Sequence, residues 1–241
     1  MSGQRVGVVG DAELAAAVEA GGGTAVDGAF DEVALVVAGG EASLVDVARR
    51  GVDAPVLPVG GADGVGSVAR DDAEAAVRRV LDGEFDTTRH PVVTVEEAAD
   101  GSAVAGAGAL FDVALVAAEP ARISEFAVRS GGEAVARFRA DGVVASTPAG
   151  SAGYNRAADG PLVAPETDVV AVVPIAPFAT HADRWVLPLD DVTLSVERDE
   201  TPVELLADGR TEATVAADDP VSLSEGADLR TVVVPESEPF F

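Results

Sequence analysis

The 241-residue sequence has no cysteine and no lysine, one tyrosine, one tryptophan, one methionine and two histidines. Without cysteine there can be no disulfide, thiolate metal site, iron–sulfur cluster or cysteine nucleophile. His90 and His181 are too few for a multi-histidine zinc site. No apolar run approaches the roughly 18 residues of a membrane-spanning helix. Met1-Ser2-Gly3-Gln4-Arg5 leads straight into a short strand-like run, not into a basic segment followed by a long apolar stretch. The expected compartment is therefore the cytoplasm.

What the chain has in excess is acid. It carries 42 Asp and Glu against 16 basic residues, all arginine, for a net charge of −26. Such a surface repels nucleic acid and anionic membrane, so neither is expected as a partner. The acids are spread along a chain that is 48% hydrophobic, which argues against a disordered acidic tail. They read as adaptation to salt, with carboxylates holding water and cations. Screening over about 3 Å at molar ionic strength would relieve the self-repulsion.

Two textures follow one another. The first ~85 residues alternate strand and helix patterns. Arg5–Gly10 reads as a strand, and Asp11 is placed to cap a helix over Ala12–Ala20 that Gly21-Gly22-Gly23 ends. Glu32–Ala38 reads as a buried strand, followed by Gly39-Gly40 and a helical stretch, Leu44–Arg50. Ala54–Val59 is the next strand, and Asp71-Asp72 open an amphipathic helix over Ala73–Leu81. Strands separated by helices predict a parallel sheet whose ligand edge lies at the strand C-termini. From about Pro91, short apolar runs separated by turn residues predict strands at Val92–Val95, Leu110–Val116, Ile123–Val128, Ala134–Phe138, Val143–Ser146, Val169–Val173, Val192–Val196, Glu204–Ala207 and Thr231–Val234. Only Ala152–Ala158 looks helical there. The fold class expected is an α/β N-terminal domain with a parallel, Rossmann-like sheet over 1–88, then an all-β sandwich over 89–241. The last residues are candidates to return to the first domain.

The most informative stretch is Asp141-Gly142-Val143-Val144-Ala145-Ser146-Thr147-Pro148-Ala149-Gly150-Ser151-Ala152-Gly153-Tyr154. A strand runs into Ser-Thr-Pro, then small residues and a short helix carrying the only tyrosine. Small side chains at a helix start expose backbone N–H groups to a phosphate or a planar ring. This run resembles the NAD kinase (ATP-NAD kinase) family, whose text reads DG-x-x-x-STP-T-GSTAY. Four further blocks match that family around it: Ala109–Val113, Asp159-Gly160-Pro161 through Pro165, Val173-Pro174-Ile175-Ala176-Pro177, and Ala207-Asp208-Gly209-Arg210. Ala121-Arg122-Ile123-Ser124-Glu125-Phe126 resembles the strand that follows the first of these.

The resemblance implies an NAD kinase-like fold and transfer of a γ-phosphoryl group to the adenosine ribose 2′-hydroxyl of NAD. It implies ATP or polyphosphate as donor, Mg²⁺ or another divalent cation, and a homodimer or homotetramer. By residue-to-residue match, Asp112, Asp141, Ala152, Gly153, Tyr154 and Ala157 are the dinucleotide-binding candidates, with Asp141 serving the nicotinamide end across a subunit interface. Gly39, Gly40 and Ser43 are the phosphate-binding candidates, and no metal ligand is expected in the chain.

The N-terminal half departs from the family text. Gly39-Gly40-Glu41-Ala42-Ser43 stands where GGDGT is expected, so Glu41 replaces the Asp of the family's catalytic position and Ala42 a glycine. Glu41 reads either as a substituted general base or as a solvated loop acid. Phe111 replaces an asparagine that fixes the dinucleotide. Val59–Val68 lacks another asparagine, with Ser67 in place of an aromatic. The alternative function is therefore a catalytically impaired family member that binds NAD(P) or a nucleotide as a regulatory or scaffold protein. Arg184 reads equally as an ion-pairing or a binding residue, His90 and His181 as loop residues, and Trp185 as core or interface.

Overall fold

The computed structural model describes residues 3–28, 30–61, 63–97, 103–119, 123–179, 182–199, 201–217 and 219–240. Ala62, Ala121, Arg122 and His181, named or spanned above, lie outside the described residues. The chain divides into two compact units, Met1–His90 with Asp228–Phe241, and Pro91–Ala227.

In the first unit, β1 (Arg5–Val9), β2 (Thr24–Asp27), β3 (Leu35–Gly39) and β4 (Val56–Val59) form a parallel sheet in the order β2-β1-β3-β4. Thr231 pairs with Val56 on the far side of β4. Three helices connect the strands: α1 (Ala12–Ala20), α2 (Gly40–Arg49) and α3 (Ala73–Leu81). Asp11 caps α1, its carboxylate accepting from the Leu14 amide at 3.2 Å. On α3 the buried residues Ala73, Ala76, Val77 and Val80 recur at one helical stripe. They close with Leu14, Val18 and the strand residues Val6, Val8, Leu35, Val37 and Leu57 into one core. The pattern reading passed over β2, an edge strand whose four residues are half-buried or exposed and give no apolar run.

In the second unit the strand pairings with described registers are antiparallel. Its strands are β5 (Asp86–Glu97), β6 (Ala103–Ala109), β7 (Asp112–Ala117), β8 (Ser124–Ser130), β9 (Glu133–Ala140), β10 (Gly142–Ser146), β11 (Val169–Ile175), β12 (Trp185–Pro188), β13 (Val192–Arg198), β14 (Val203–Ala207), β15 (Arg210–Val215) and β16 (Val221–Val233). Strands β5 and β16 contribute residues to both units. One layer is a six-stranded sheet, β12-β11-β10-β7-β14-β15. The other contains β16-β13-β8-β9, with β6 paired to β5. Alternate residues of both layers fill the space between them: Val113, Leu115, Val143, Ala145, Val170 and Val172 from the first, Phe126, Val128, Val192, Leu194, Val221 and Leu223 from the second. Trp185 stacks on Phe138 with ring centroids 5.8 Å apart. Strands β6 and β15 went unread because one is an Ala/Gly alternation and the other carries charge and threonine at its exposed positions.

Two local readings change. The stretch Ala152–Ala158 is a 3₁₀ turn, Ala149–Ala152, and a separate one-turn helix α4 (Tyr154–Ala157), broken at Gly153. His90 is not a loop residue. Strand β5 starts six residues before the apolar run at Val92, so His90 lies within it and is buried, its Nε2 2.9 Å from Thr231 Oγ1. Burial pushes its pKa down to about 4.

Candidate functional site

Two groups of candidate residues are assembled, one in each unit. The first lies at the carboxyl edge of the parallel sheet. Gly10 follows β1, Gly39 closes β3 with Gly40 next in chain, and Gly60 follows β4. Leu14 of α1, almost fully buried, packs across two of these ends. A Cβ on Gly10 would lie 2.8 Å from Leu14 Cδ1, and one on Gly39 would collide with the same methyl. Those two glycines thus make room for a leucine. Gly40 is different. It has φ +79°, and the nearest atom to a Cβ there is the Gly60 carbonyl oxygen at 3.9 Å. Its left-handed backbone turns the chain sharply from β3 into α2.

Helix α2 therefore starts at Gly40, not at Leu44. Glu41 and Ser43 belong to its first turn rather than to a loop. The first-turn amides have no partner within the helix and favour negative charge beside them. Glu41 and Ala42 are exposed and Ser43 half-buried. Ala42 is not among the residues with left-handed φ, so a glycine is not required at that position. Gly39, Gly40, Glu41 and Ser43 are thus brought to one strand end.

The second group lies on the outer face of the six-stranded sheet. Asp112 opens β7 and sits directly across from Ser146 of β10. Its neighbours on that face are Ala114, Val144 and Val173, an apolar patch extended by Val116, Ile175 and Leu206. The backbone that carries Asp112 is held from two sides. The Asp208 carboxylate accepts the amides of Leu110 at 3.0 Å, Phe111 at 2.7 Å and Asp112 at 3.2 Å. Thr147 donates its hydroxyl to Leu110 O at 2.5 Å and its amide to Phe111 O at 2.9 Å. Asp208 itself has φ +49°, and its amide donates to Asp112 O. A carboxylate accepting three amides is a strong, charge-assisted clamp. Phe111, at the position of the family's asparagine, is buried.

The short helix is held with equal care. Ser151, fully buried, donates to Pro148 O at 2.7 Å and accepts from the Val163 amide at 3.0 Å. Asn155 donates to Ser151 O and to Pro161 O at 2.8 Å. These contacts fix α4 while Gly153, Tyr154 and Ala157 stay exposed and Ala152 half-buried. Burial raises the Tyr154 hydroxyl pKa, and the nearby charges of Asp112 and Asp141 raise it further. Those three residues thus share one electrostatic neighbourhood. Asp141 joins β9 to β10, its amide donating to Ile175 O at 3.0 Å and its carbonyl accepting from Ala117. Beside α4 a cavity of about 610 Å³ is lined by Ala157, Asp159, Pro174, Ala176 and Arg184. Arg184 reaches Asp159 at 3.4 Å there, so its ion pair and the cavity wall are one feature.

Asp208, Thr147, Ser151 and Asn155 were not singled out by sequence reasoning. Their only signal was membership of the matched blocks, because a buried Ser, Thr or Asn looks like any turn residue until its partners are known. Among the described residues no group of three or more His, Asp or Glu could hold a metal ion. No helix among them is long and apolar enough to cross a membrane.

Comparison with known proteins follows the same blocks. Residues 110–234 match the family model described as the ATP-NAD kinase C-terminal domain. The chain is 36% identical over 203 residues to an NAD kinase of Nitratidesulfovibrio vulgaris, covering 82% of this chain and 71% of that one. It is 28% identical over 213 residues to an NAD kinase of Geotalea daltonii, covering 86% and 75% of the two chains. Among solved structures, a yeast NADH kinase in complex with NADH superposes with a TM-score of 0.80 at 17% identity, over 98% of this chain and 85% of that one. An NAD kinase from Archaeoglobus fulgidus in complex with ATP gives 0.76 at 21% identity, over 94% and 92%. At these identities the two structures establish the fold: an α/β unit with a parallel sheet and an antiparallel two-layer unit.

Proposed function

The chain belongs to the NAD kinase family, and from that premise we propose that it phosphorylates the adenosine ribose 2′-hydroxyl of NAD to give NADP, with ATP or polyphosphate as donor. The observation that carries this is the family match over residues 110–234, which spans every dinucleotide-binding candidate from Asp112 to Ala157. In this reading Asp112 and Tyr154 hold the dinucleotide, with Ala152, Gly153 and Ala157 as the small-residue floor. Asp141 serves the nicotinamide end in a homodimer or homotetramer. Exposed Phe178 and Val186, 71% and 52% accessible, support burial of apolar surface of this unit in an assembly.

Gly40, with Gly39 and Ser43, receives the donor phosphates at the start of α2. Glu41 accepts the proton as the 2′-oxygen attacks the terminal phosphorus and the bond to the departing diphosphate breaks. One added methylene relative to Asp shifts its carboxylate, and an ångström of displacement can cost about a hundredfold in rate. Charge neutralisation on the donor phosphates would come from a divalent cation bound together with the donor. The protein works in the cytoplasm of a salt-adapted cell, as its net charge of −26 supports.

The test is NADP formation by purified protein in multimolar KCl with NAD, ATP and Mg²⁺. Activity that Glu41→Ala abolishes is the expected result. Binding of NAD without turnover would favour the alternative, a retired kinase kept as a nucleotide-binding protein. The exposed Glu41 and the leucine packed over Gly39 are the observations on that side.

A further inference from the structure

Arg70 crosses the carboxyl edge of the parallel sheet. Its side chain lies against Gly60, at the end of β4: a Cβ there would be 3.1 Å from both Cγ and Nε of Arg70. Its guanidinium meets Asp11, at the end of β1, with Nη1 2.8 Å from Oδ2, and lies 3.7 Å from Glu13. The sheet order is β1-β3-β4. A side chain that reaches from the end of β4 to the residue after the end of β1 is thereby placed beside the end of β3, which lies between them. That end is Gly39-Gly40, where the chain turns into α2. Gly60, with φ +77°, admits the arginine on its Cα side and approaches Gly40 through its carbonyl.

The other arginines of this unit lie elsewhere. Arg5 opens β1, Arg49 and Arg50 end α2, Arg78 and Arg79 sit in the last turn of α3, Arg89 pairs with Asp228, and Arg230 reaches the Asp53 carbonyl. The chain has no lysine to supply the charge. The Arg70 and Asp11 side chains are 41% and 51% exposed, and an exposed ion pair is cheaply exchanged for another anion. A guanidinium can offer two parallel N–H donors to phosphate oxygens.

We propose that Arg70 is a donor-binding residue, which leaves Asp11 to grip the phosphates of the nucleoside triphosphate at Gly40. This rests on the kinase reading given above. Asp11 then competes with the phosphate for Arg70, so it tunes donor affinity.

The experiment is calorimetric titration of the full-length protein with Mg·ATP, and separately with NAD, in multimolar KCl. Wild type is compared with Arg70→Ala, Arg70→Lys and Asp11→Asn, and the Tm of each is recorded. Arg70→Ala should weaken ATP binding about ten- to hundredfold and leave NAD binding within twofold. Arg70→Lys should recover part of the loss, because it keeps charge but not the fork. Asp11→Asn keeps an oxygen to cap α1 and should tighten ATP binding. ATP affinity unchanged in Arg70→Ala would overturn the proposal, as would equal losses for ATP and NAD or a loss that tracks Tm. Wild type that binds ATP but makes no NADP would refute the kinase reading alone, since the binding comparison needs no turnover.

Discussion

The glycine turn at the end of β3 and the Gly142–Asn155 segment both carry proposed site residues, yet they relate to the family text in opposite ways. In the second, retained residues are fixed by immediate neighbours. A Cβ on Gly150 would strike the Phe111 carbonyl, and one on Gly142 would lie 2.5 Å from Leu115 O. Thr147, Ser151 and Asn155 each satisfy buried backbone groups. In the first, Gly39 is retained where Leu14 demands it, whereas the departures at Glu41 and Ala42 fall on exposed helical positions. Substitution has been tolerated where the backbone imposes nothing. Packing preserves one motif, while only chemistry could have preserved the missing Asp and third glycine of the other.

That contrast can be broken by substitution. Gly150→Ala should be the most damaging change, because the added methyl meets rigid backbone. A loss above about 4 kcal/mol, or failure to fold, is expected in denaturant unfolding. A loss under about 1 kcal/mol would show that the segment yields and that packing does not explain its retention.

Acid should reveal the buried histidine next. His90 has a folded pKa of about 4 against 6.5 when unfolded, so the unfolded chain binds the proton first. Its contribution is complete above about pH 6.5 and is lost as pH falls toward 4, by roughly 3 kcal/mol. His90→Gln should flatten that part of the stability profile. An unchanged slope would remove His90 as its source.

Asp208→Asn removes the charge from an acceptor of three amides. It should cost about 2 kcal/mol of stability and weaken NAD binding while ATP binding holds. Equal weakening of both ligands would argue against a clamp that positions Asp112. The smallest effect is expected at Ala42→Gly, which restores the family glycine. On an exposed helical residue it should destabilise by under about 1 kcal/mol. A gain in stability would mean that position 42 is not simply helical.

Periodicity made the first unit legible: α1 and α3 appear at the bounds expected, because capping acids and an apolar stripe are local signals. The start of α2 was misplaced because Gly39-Gly40 reads as a breaker, while the helix begins through a left-handed Gly40. Edge strands β2 and β15 lack continuous apolar runs, and β12 is only four residues long. The family blocks pointed to Asp112 and Tyr154. The roles of Asp208 and Thr147 could not be read, because contacts between residues 97 and 37 positions apart exist only in the folded chain.

The proposed dinucleotide site centres on Asp112, whose backbone the Asp208 clamp holds. Calorimetric titration of NAD into wild type and Asp112→Asn, at equal Tm in multimolar KCl, tests it most directly. A loss of NAD affinity of tenfold or more, with ATP binding intact, is the predicted result. Equal NAD affinity in the two proteins would contradict the assignment of the site to this face of the sheet.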